Sequence, residues 1–464
     1  MNKEKSKNYT FDNDLIIYQS YVNEFTYKNF KELDLKAKEA DLNSKIENLI
    51  NGDIVNQTEN QAAFHPIYRM HQAKDEGSIP DNLYQANYTA KNFCEKWKKQ
   101  SENCKSNEII NIITLGIGGS FEGPKLLLEC FNYPLGYGDK EKAKMNFDFI
   151  TGSDPKEFYF KTKNLDPKNT FFIVSSKSFT TDETIKNLQQ ALNWSSNKNN
   201  FIAITSKPEE AKKYGISEVI TFDKEIGGRY SIWSPITQFH LCDDKDSLLK
   251  ENIEKRKNFF KGGFQADKDI QNDIKYQEFV KRLSFTDIWL NNMKGINSRV
   301  ILSYDWDLRS LPYYLQQLEM ESLGKQANIN SEFKNTGQVI FGGYGPTAQH
   351  SYFQLLHQGT QRISADIILS KEDSKSLAYA QAITQSKLLA NASKDSKEEE
   401  KINGNVPVNL FLIDKLDPYS LGYLIATWEY RVFITATILG INPFDQFGVN
   451  AGKIYTKQYL ADKD

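Results

Sequence analysis

The chain has 464 residues, and its 58 lysines and arginines nearly balance its 60 aspartates and glutamates, which leaves a formal charge of −2. This balance excludes a broad basic surface for binding nucleic acid or an anionic membrane. Hydrophobic residues make up 39% of the chain and aromatic residues 13%, so we expect a sizeable folded core rather than global disorder.

The first 100 residues are charged and helical in pattern, and no strand signal precedes about Asn107. From there, compact apolar runs alternate with segments of helical spacing. Strands are predicted over residues 109–117, 147–154, 170–176 and 201–206. This alternation is typical of βα units whose parallel sheet is covered by helices on both faces.

The alternation returns after a polar helical stretch, with strands predicted over residues 299–305, 338–344, 364–370 and 408–414. Two separate blocks predict two α/β subdomains of related architecture. The predicted organisation is an N-terminal helical segment packed on the core (1–100), a first α/β subdomain (101–245), a helical connection (246–297), a second α/β subdomain (298–440) and a C-terminal segment (441–464).

Neither a disulfide framework nor a zinc ribbon is expected, because the cysteines form no C-x-x-C pair and no cluster. They are Cys94, Cys104, Cys130 and Cys242. The N-terminus lacks the apolar stretch of a signal peptide. The apolar run over residues 421–441 carries Glu429 and Arg431 at its middle, which predicts a buried helix rather than a membrane span. We therefore expect a soluble, cytoplasmic protein.

A glycine-rich turn, LGIGGSFEGP (115–124), leads from the first predicted strand into a helix. Glycines allow a ligand to approach the backbone closely, and the N–H groups that begin a helix attract an anion. The spacing fits neither the dinucleotide fingerprint nor the P-loop. A tight βα turn without a ligand is an equally good interpretation of this pattern.

The segment SSKSFTTDET (175–184) places five hydroxyl residues and Lys177 within seven positions, between a strand and the start of a helix. Hydroxyl and backbone N–H groups in this arrangement suit a phosphate monoester. The alternative is helix capping, because Thr180 and Glu183 fit a capping box. Five hydroxyls exceed what capping requires, so we favour a phosphate site.

A predicted helix over residues 311–325 carries an apolar stripe at positions 311, 314, 315 and 318, and its continuation meets Glu321. Gln317 lies one turn before Glu321 on nearly the same face. A carboxylate buried in this way would have the raised pKa that suits a general base. The pattern alone favours the simpler alternative, in which the stripe ends with the helix.

Three further residues are candidates for chemistry. His350 is predicted near the start of a helix and shares a face with His357, although no carboxylate stands beside them to complete a metal site. Arg229 follows two glycines, where a guanidinium can stabilise an oxyanion or pair with a carboxylate. Lys453 lies near the C-terminus, where a lone lysine is usually a solvated surface charge.

Seven segments, in the same order along the chain, resemble the phosphoglucose isomerase family. They are TENQAAFH (58–65), GIGGSFEGP (116–124), SSKSFTTDET (175–184), GGRYSIWSP (227–235), QQLEMESLGK (316–325), QHSYFQLLHQGT (349–360) and FDQFGVNAGK (444–453). Seven collinear matches are highly specific. The resemblance implies an α/β fold of two sugar-isomerase (SIS-type) α-β-α sandwich subdomains, with parallel sheets and flanking helices.

The implied activity is the reversible isomerisation of glucose 6-phosphate to fructose 6-phosphate, by ring opening and proton transfer through a cis-enediol, in glycolysis and gluconeogenesis. Glu321 would move the proton between C1 and C2, with Gln317 as a sugar contact. The substrate phosphate would be held by Gly119, Ser120, Ser176, Lys177, Ser178 and Thr181. No metal or other cofactor is implied.

The resemblance implies that Arg229 stabilises the enediolate and that His350 and Lys453 assist ring opening. Glu183 would orient His350. The family's histidine reaches in from the neighbouring subunit, so a homodimer that shares His350 across its interface is also implied. Neither nucleic acid nor a membrane is an expected partner.

The chain departs from the family pattern at Phe121-Glu122, at Leu323 and over residues 342–348. These changes leave sugar selectivity open, so mannose 6-phosphate or an amino sugar phosphate is an alternative substrate. A second alternative is a non-catalytic sugar-phosphate sensor, which the retained catalytic residue types disfavour. His65, which ends the first matching segment, receives no role.

Overall fold

The computed structural model describes residues 9–74, 78–103, 109–131, 145–240, 248–393 and 397–462. The chain forms two compact units. Unit 1 takes in residues 1–63, 266–416 and 424–464, and unit 2 takes in residues 64–265 and 417–423. Each unit is built on a mainly parallel β-sheet, which confirms the predicted fold of two α/β blocks.

In the described residues the strands are, in chain order, β1 Thr10–Asp12, β2 Ile16–Ser20, β3 Ile54–Asn56, β4 Gln61–Ala62, β5 Ile110–Leu115, β6 Met145–Ile150, β7 Thr170–Ser175, β8 Phe201–Thr205, β9 Glu218–Thr221, β10 Ser298–Ser303, β11 Val339–Tyr344, β12 Ser364–Ser370 and β13 Val408–Ile413.

The α-helices in the same residues are α1 Tyr27–Glu39, α2 Leu42–Asn51, α3 His65–Gln72, α4 Asp81–Asn103, α5 Glu122–Phe131, α6 Pro155–Thr162, α7 Asp182–Trp194, α8 Pro208–Lys213, α9 Leu248–Asn272, α10 Ile274–Met293, α11 Leu311–Leu323, α12 Gly345–Ala348, α13 Phe353–Gln358, α14 Leu377–Asn391, α15 Pro418–Leu439 and α16 Asn450–Ala461.

The sheet of unit 2 has five parallel strands in the order β6-β5-β7-β8-β9. Every residue of β5, β7 and β8 is buried, as expected for strands covered on both faces. The four strands predicted in this block are all present. The edge strand β9 was not predicted, because its four residues, EVIT, have only one buried side chain and so leave a weak apolar signal.

The sheet of unit 1 has six strands in the order β1-β2-β13-β12-β10-β11. The four strands from β13 to β11 are parallel, as predicted. The hairpin of β1 and β2 extends this sheet, and β2 runs antiparallel to β13, with Ser20 opposite Asn409. The prediction that the first 100 residues hold no strand is therefore wrong.

The apolar run near the C-terminus forms α15, which confirms the predicted buried helix. Glu429 and Arg431 are 2% and 1% exposed. Arg431 pairs there with Asp287 at 2.6 Å and with Asp366 at 2.8 Å. None of the helices in the described chain has the length and apolar character needed to cross a membrane.

Candidate active site

The glycine-rich turn of unit 2 joins two backbone segments that touch. Gly118 adopts φ +59°, a left-handed conformation that favours glycine. A Cβ on Gly119 would lie 1.8 Å from the carbonyl oxygen of Gly228, so only glycine fits there. The hydroxyl of Ser231 donates to the carbonyl of Gly119 at 3.0 Å. The turn therefore supports the segment that carries the next candidate residue, Arg229.

The loop between β7 and α7, which we call the hydroxyl loop (residues 176–181), is held by its own side chains. The Ser176 hydroxyl accepts from the N–H of Phe179 at 3.1 Å and lies 3.2 Å from the Thr181 hydroxyl. Phe179 is buried and has φ +52°. The carbonyl of Lys177 accepts three hydrogen bonds from the end of β8 and the residue after it. The loop conformation is thus fixed without a ligand.

The threonine hydroxyls of this loop do not cap helix α7, which was the alternative interpretation. The N-cap of α7 is Thr181, and its side chain makes no capping hydrogen bond. The hydroxyl of Thr180, which the sequence placed in a capping box with Glu183, donates instead to the hydroxyl of Ser178 at 2.9 Å. The hydroxyls of this loop therefore bond one another and the loop backbone rather than cap α7.

A cavity of about 130 Å³ lies between the glycine turn, the hydroxyl loop and the segment after β9. At about 30 Å³ for each water in the liquid, it has room for roughly four waters, or for a phosphate group. Five of the six predicted phosphate ligands line it, namely Gly119, Ser120, Ser176, Lys177 and Thr181. Ser178 is exposed and is not part of the lining. The structure thus brings together residues from two predicted motifs.

Three more hydroxyl residues line this cavity, and two of them, Ser175 and Thr184, lie at the end of β7 and in the first turn of α7. Both oxygens are buried, and neither has a hydrogen-bond partner among the described residues. A buried hydroxyl without a partner costs about 1–3 kcal/mol, so the cavity is suited to a polar ligand. The sequence analysis did not predict Thr184 as a site residue. Its position in the first turn of α7 was a usable signal, because the N–H groups of that turn attract anions.

Arg229 lies in a 3₁₀ helix, Gly228–Trp233, that begins beside the same cavity. Gly228 and Ser231 from this helix line the cavity. The guanidinium of Arg229 is buried, at 1% exposure, and its central carbon lies 5.6 Å from the ring centre of Tyr230. Arg229 itself is not among the residues that line the cavity. A buried guanidinium is permanently charged and is suited to stabilising negative charge.

In unit 1, Gln317 and Glu321 lie on one face of α11, as predicted. The Gln317 side-chain N–H donates to Glu321 Oε2 at 3.2 Å. Both residues are partly exposed, while the amide oxygen of Gln317 is buried and has no partner among the described residues. The carboxylate of Glu321 is therefore oriented by its neighbour one turn earlier, on a partly exposed part of the helix surface.

A second carboxylate of α11, that of Glu319, was missed from the sequence. It is 4% exposed, pairs with Arg299 and accepts a hydrogen bond from Trp428 Nε1 at 2.6 Å. Burial raises the pKa of Glu319, although the Arg299 guanidinium opposes the shift. Glu319 lies four residues after the buried Leu315 and therefore on the same face of the helix. This spacing was the sequence signal that could have predicted its burial.

Glu319 belongs to a buried ionic cluster of three carboxylates and two guanidiniums. Its members are Asp287, Arg299, Glu319, Asp366 and Arg431. Residues two apart on a helix point about 200° away from each other, since each residue turns the helix by about 100°. Anchoring Glu319 in the core therefore turns Glu321 outward.

His350 does not lie at the start of a helix, so that prediction is wrong. It is exposed, in the turn between α12 and α13. The N–H of His350 bonds the carbonyl of Thr347 at 3.0 Å, and this three-residue step replaces the four-residue step of an α-helix. His357 lies apart on α13, where its ring bonds Gln385 at 2.9 Å and burial lowers its pKa. No group of residues in the described chain is arranged to hold a metal ion.

The remaining candidates lie on helical turns. Lys453 is exposed, in the first turn of α16. Glu183 is partly exposed, in the first turn of α7 in unit 2, and its predicted orientation of His350 stays a prediction. Among the cysteines, Cys94 is partly buried and Cys130 is buried. Cys104 and Cys242 lie outside the described residues.

Comparison with known proteins agrees with the fold and with the matching segments. The family model of phosphoglucose isomerase matches residues 18–464. The glucose-6-phosphate isomerase of Shewanella sp. (strain MR-4) is 34% identical, over 95% of this chain and 86% of its own. That of Wigglesworthia glossinidia brevipalpis is 31% identical, over 99% of this chain and 88% of its own.

A solved structure shows the same fold. It is that of a glucose-6-phosphate isomerase from Chlamydia trachomatis, with a TM-score of 0.80 and 23% identity, over 98% of this chain and 90% of the other. The family model covers nearly the whole chain, and two relatives exceed 30% identity over most of their length. The chain therefore belongs to the phosphoglucose isomerase family.

Proposed function

We propose that this protein interconverts D-glucose 6-phosphate and D-fructose 6-phosphate, by ring opening and proton transfer through a cis-enediol, in glycolysis and gluconeogenesis. Family membership supports the activity. The observation that carries the proposal is the cavity of unit 2, which five predicted phosphate ligands line together with two buried hydroxyls that lack partners. Such a cavity suits a phosphate monoester.

The phosphate provides binding energy at a distance from the reacting carbons. Hydroxyls of the hydroxyl loop and of Ser120 donate to its oxygens, and Lys177 and the N–H groups at the start of α7 offset its charge. Binding energy from this non-reacting group holds the sugar in position for the chemical step.

The proton transfer is assigned to Glu321. The hydrogen removed is α to a carbonyl, so the step needs a positioned base and a group that stabilises the enediolate oxygens. Gln317 holds the carboxylate of Glu321 through its 3.2 Å hydrogen bond. Arg229 supplies positive charge to the enediolate. The carboxylate takes the proton from C2 and returns it to C1, or the reverse, so no cofactor is consumed.

Ring opening is assigned to His350 and Lys453, with Glu183 orienting His350. We propose that the enzyme is a homodimer in which His350 completes the site of the neighbouring subunit. Exposed chain at the C-terminus supports this assembly, because every residue from 446 to 462 is exposed. Helix α16 has only twelve residues, and isolated helices of that length are marginal in water. A second copy would cover its exposed Ile454, Tyr455, Tyr459 and Leu460.

We propose a cytoplasmic enzyme that has neither nucleic acid nor a membrane as a partner. The four cysteines form no C-x-x-C pair and no cluster in the sequence, which agrees with a reducing compartment. The near-neutral formal charge of −2 agrees with a small-molecule substrate rather than a polyanionic partner.

The test is to incubate the purified protein with fructose 6-phosphate in heavy water, without added metal, and to follow the products by proton NMR. We expect glucose 6-phosphate with deuterium at C2, and no conversion by Glu321→Gln. Mannose 6-phosphate among the products would widen the substrate range. Binding of the sugar phosphate without conversion would contradict the proposal and favour a sensor.

A further inference from the structure

The 3₁₀ helix Gly228–Trp233, which carries Arg229, needs support from outside itself. It has six residues, and 3₁₀ runs longer than three or four are uncommon because their hydrogen-bond geometry is poorer than that of an α-helix. An arginine that stabilises developing charge must nevertheless be in place before the reaction begins. Some other element of unit 2 must therefore fix this helix.

Helix α3 supplies this support through contacts with Tyr230 and with Trp233, the last residue of the 3₁₀ helix. The ring of His65, the first residue of α3, stacks on Tyr230 with ring centres 4.6 Å apart and planes at 23°. The guanidinium of Arg69 lies 4.9 Å from the ring centre of Trp233. Gln72, the last residue of α3, donates to the carbonyl of Trp233 at 3.0 Å. All of these side chains are buried.

The same helix also holds the chain that leads into the 3₁₀ helix. The N–H of Phe64 donates to the carbonyl of Glu225 at 3.2 Å. The hydroxyl of Tyr68 donates to Asp223 Oδ2 at 2.7 Å and accepts from the N–H of Asp223 at 3.0 Å. The segment that carries Arg229 is thus contacted by α3 both before and after the arginine.

We infer that His65 is a positioning residue for Arg229, acting through the ring of Tyr230. Tyr230 follows Arg229 directly, stacks on His65, and lies 5.6 Å from the guanidinium. Burial, with Arg69 nearby, lowers the pKa of His65 well below its usual value. The ring is therefore neutral and adds no positive charge beside the two arginines. This inference rests on the proposed function, because it assigns His65 a part in stabilising the enediolate.

The expected effect falls on the chemical step. Arg229 acts on charge that develops in the transition state, so a displaced guanidinium lowers kcat more than it raises KM. A misplacement of about 1 Å costs up to a hundredfold in rate. The hydroxyls assigned to the phosphate lie on other segments of unit 2, although Gly228 and Ser231 of the 3₁₀ helix also line the cavity. Affinity for inorganic phosphate should therefore fall much less than kcat.

The test compares His65→Ala with His65→Phe, which keeps a flat ring. The measurements are kcat, KM, affinity for inorganic phosphate, and affinity for a phosphosugar hydroxamate that mimics the enediolate. For His65→Ala we expect kcat and affinity for the mimic to fall in parallel, by roughly 10- to 100-fold, with KM within about threefold. His65→Phe should stay within about threefold of the unchanged protein, since the stacking on Tyr230 is retained.

A double-mutant cycle with Arg229→Ala separates positioning from a general effect on the fold. If His65 acts through Arg229, the loss of mimic affinity in the double variant equals that of Arg229→Ala alone. Additive losses, or an equal loss of phosphate affinity in His65→Ala, would overturn the inference. If His65→Ala does not fold, Tyr230→Ala takes its place in the cycle, because it removes the ring on which His65 stacks. An inactive unchanged protein would instead refute the proposed function, and the cycle on mimic affinity would still decide the role of His65.

Discussion

Replacing Gly119 by alanine is the most direct test of how the cavity of unit 2 is built. A Cβ at this position would lie 1.8 Å from the carbonyl oxygen of Gly228 and 2.3 Å from its carbonyl carbon. Both contacts are with backbone, which cannot rotate away as a side chain can. The glycine turn and the segment of Arg229 would therefore have to separate.

The required separation can be worked from these distances. Ordinary contact begins at 3.4 Å, so the two segments must move apart by about 1.6 Å. Forcing extra volume into a packed site costs about 1–3 kcal/mol. The 3.0 Å bond from Ser231 to the carbonyl of Gly119 would also be lost, at about 1 kcal/mol. A shift of this size should lower kcat/KM by about a hundredfold or more.

Isomerase kinetics, affinity for inorganic phosphate and thermal unfolding together test this reasoning. We expect Gly119→Ala to lose activity and phosphate affinity, and Tm to fall by about 2–4 °C for each kcal/mol lost. Gly228→Ala is the matched control for folding, because its added Cβ would meet nothing within 4 Å. Unchanged kinetics and an unchanged Tm in Gly119→Ala would refute the close backbone contact.

Four further outcomes are expected. Glu321→Gln should abolish isomerisation while calorimetry still detects sugar-phosphate binding; equal loss of both would make Glu321 structural. The double variant Ser176→Ala with Thr181→Ala should mainly raise KM. Unchanged affinity for the sugar phosphate would show that the hydroxyl loop does not bind the phosphate. Burial lowers the pKa of His240 to about 3, so as the pH falls the unfolded chain takes up a proton at this histidine first. In urea titrations below about pH 6.5, the free energy of unfolding should therefore fall more steeply than in His240→Phe, by about 1.4 kcal/mol per pH unit, because the other histidines with lowered pKa contribute to both proteins. An equal slope in His240→Phe would contradict this. Arg431→Met removes a guanidinium partner from the buried carboxylates of Asp287 and Asp366, so the free energy of unfolding in the same titration should fall by about 3–5 kcal/mol. An unchanged free energy of unfolding would contradict this.

Features that depend on neighbours in the sequence could be predicted. The central strands are continuous apolar runs because both faces of their sheets are buried, and Gln317 and Glu321 meet because they are one helical turn apart. The hydroxyl loop was recognisable because its side chains are crowded into one short segment. In each of these cases the structure depends on residues within one short segment, and the sequence pattern of that segment shows it.

Features that depend on distant partners could not be predicted. The helical step from Leu315 indicates that Glu319 is buried, but it does not identify the partners Arg299 and Trp428, which lie 20 and 109 positions away. The stacking of His65 on Tyr230 likewise joins segments that no periodicity connects. His350 was misplaced because a run of helix-compatible residues does not reveal that two short helices are separated by a turn.

The pairing of β2 with β13 has a consequence for the synthesis of the chain. Ser20 leaves the ribosome 389 residues before its partner Asn409. At about 5–20 residues per second, the N-terminal hairpin waits roughly 20–80 seconds for the strand that covers its edge. An uncovered strand edge is a site of unwanted pairing between chains. Most of unit 2, whose residues 64–265 form one continuous stretch, is complete long before then. The uncovered edge of the hairpin is thus a place where the nascent protein needs protection, for example by a chaperone.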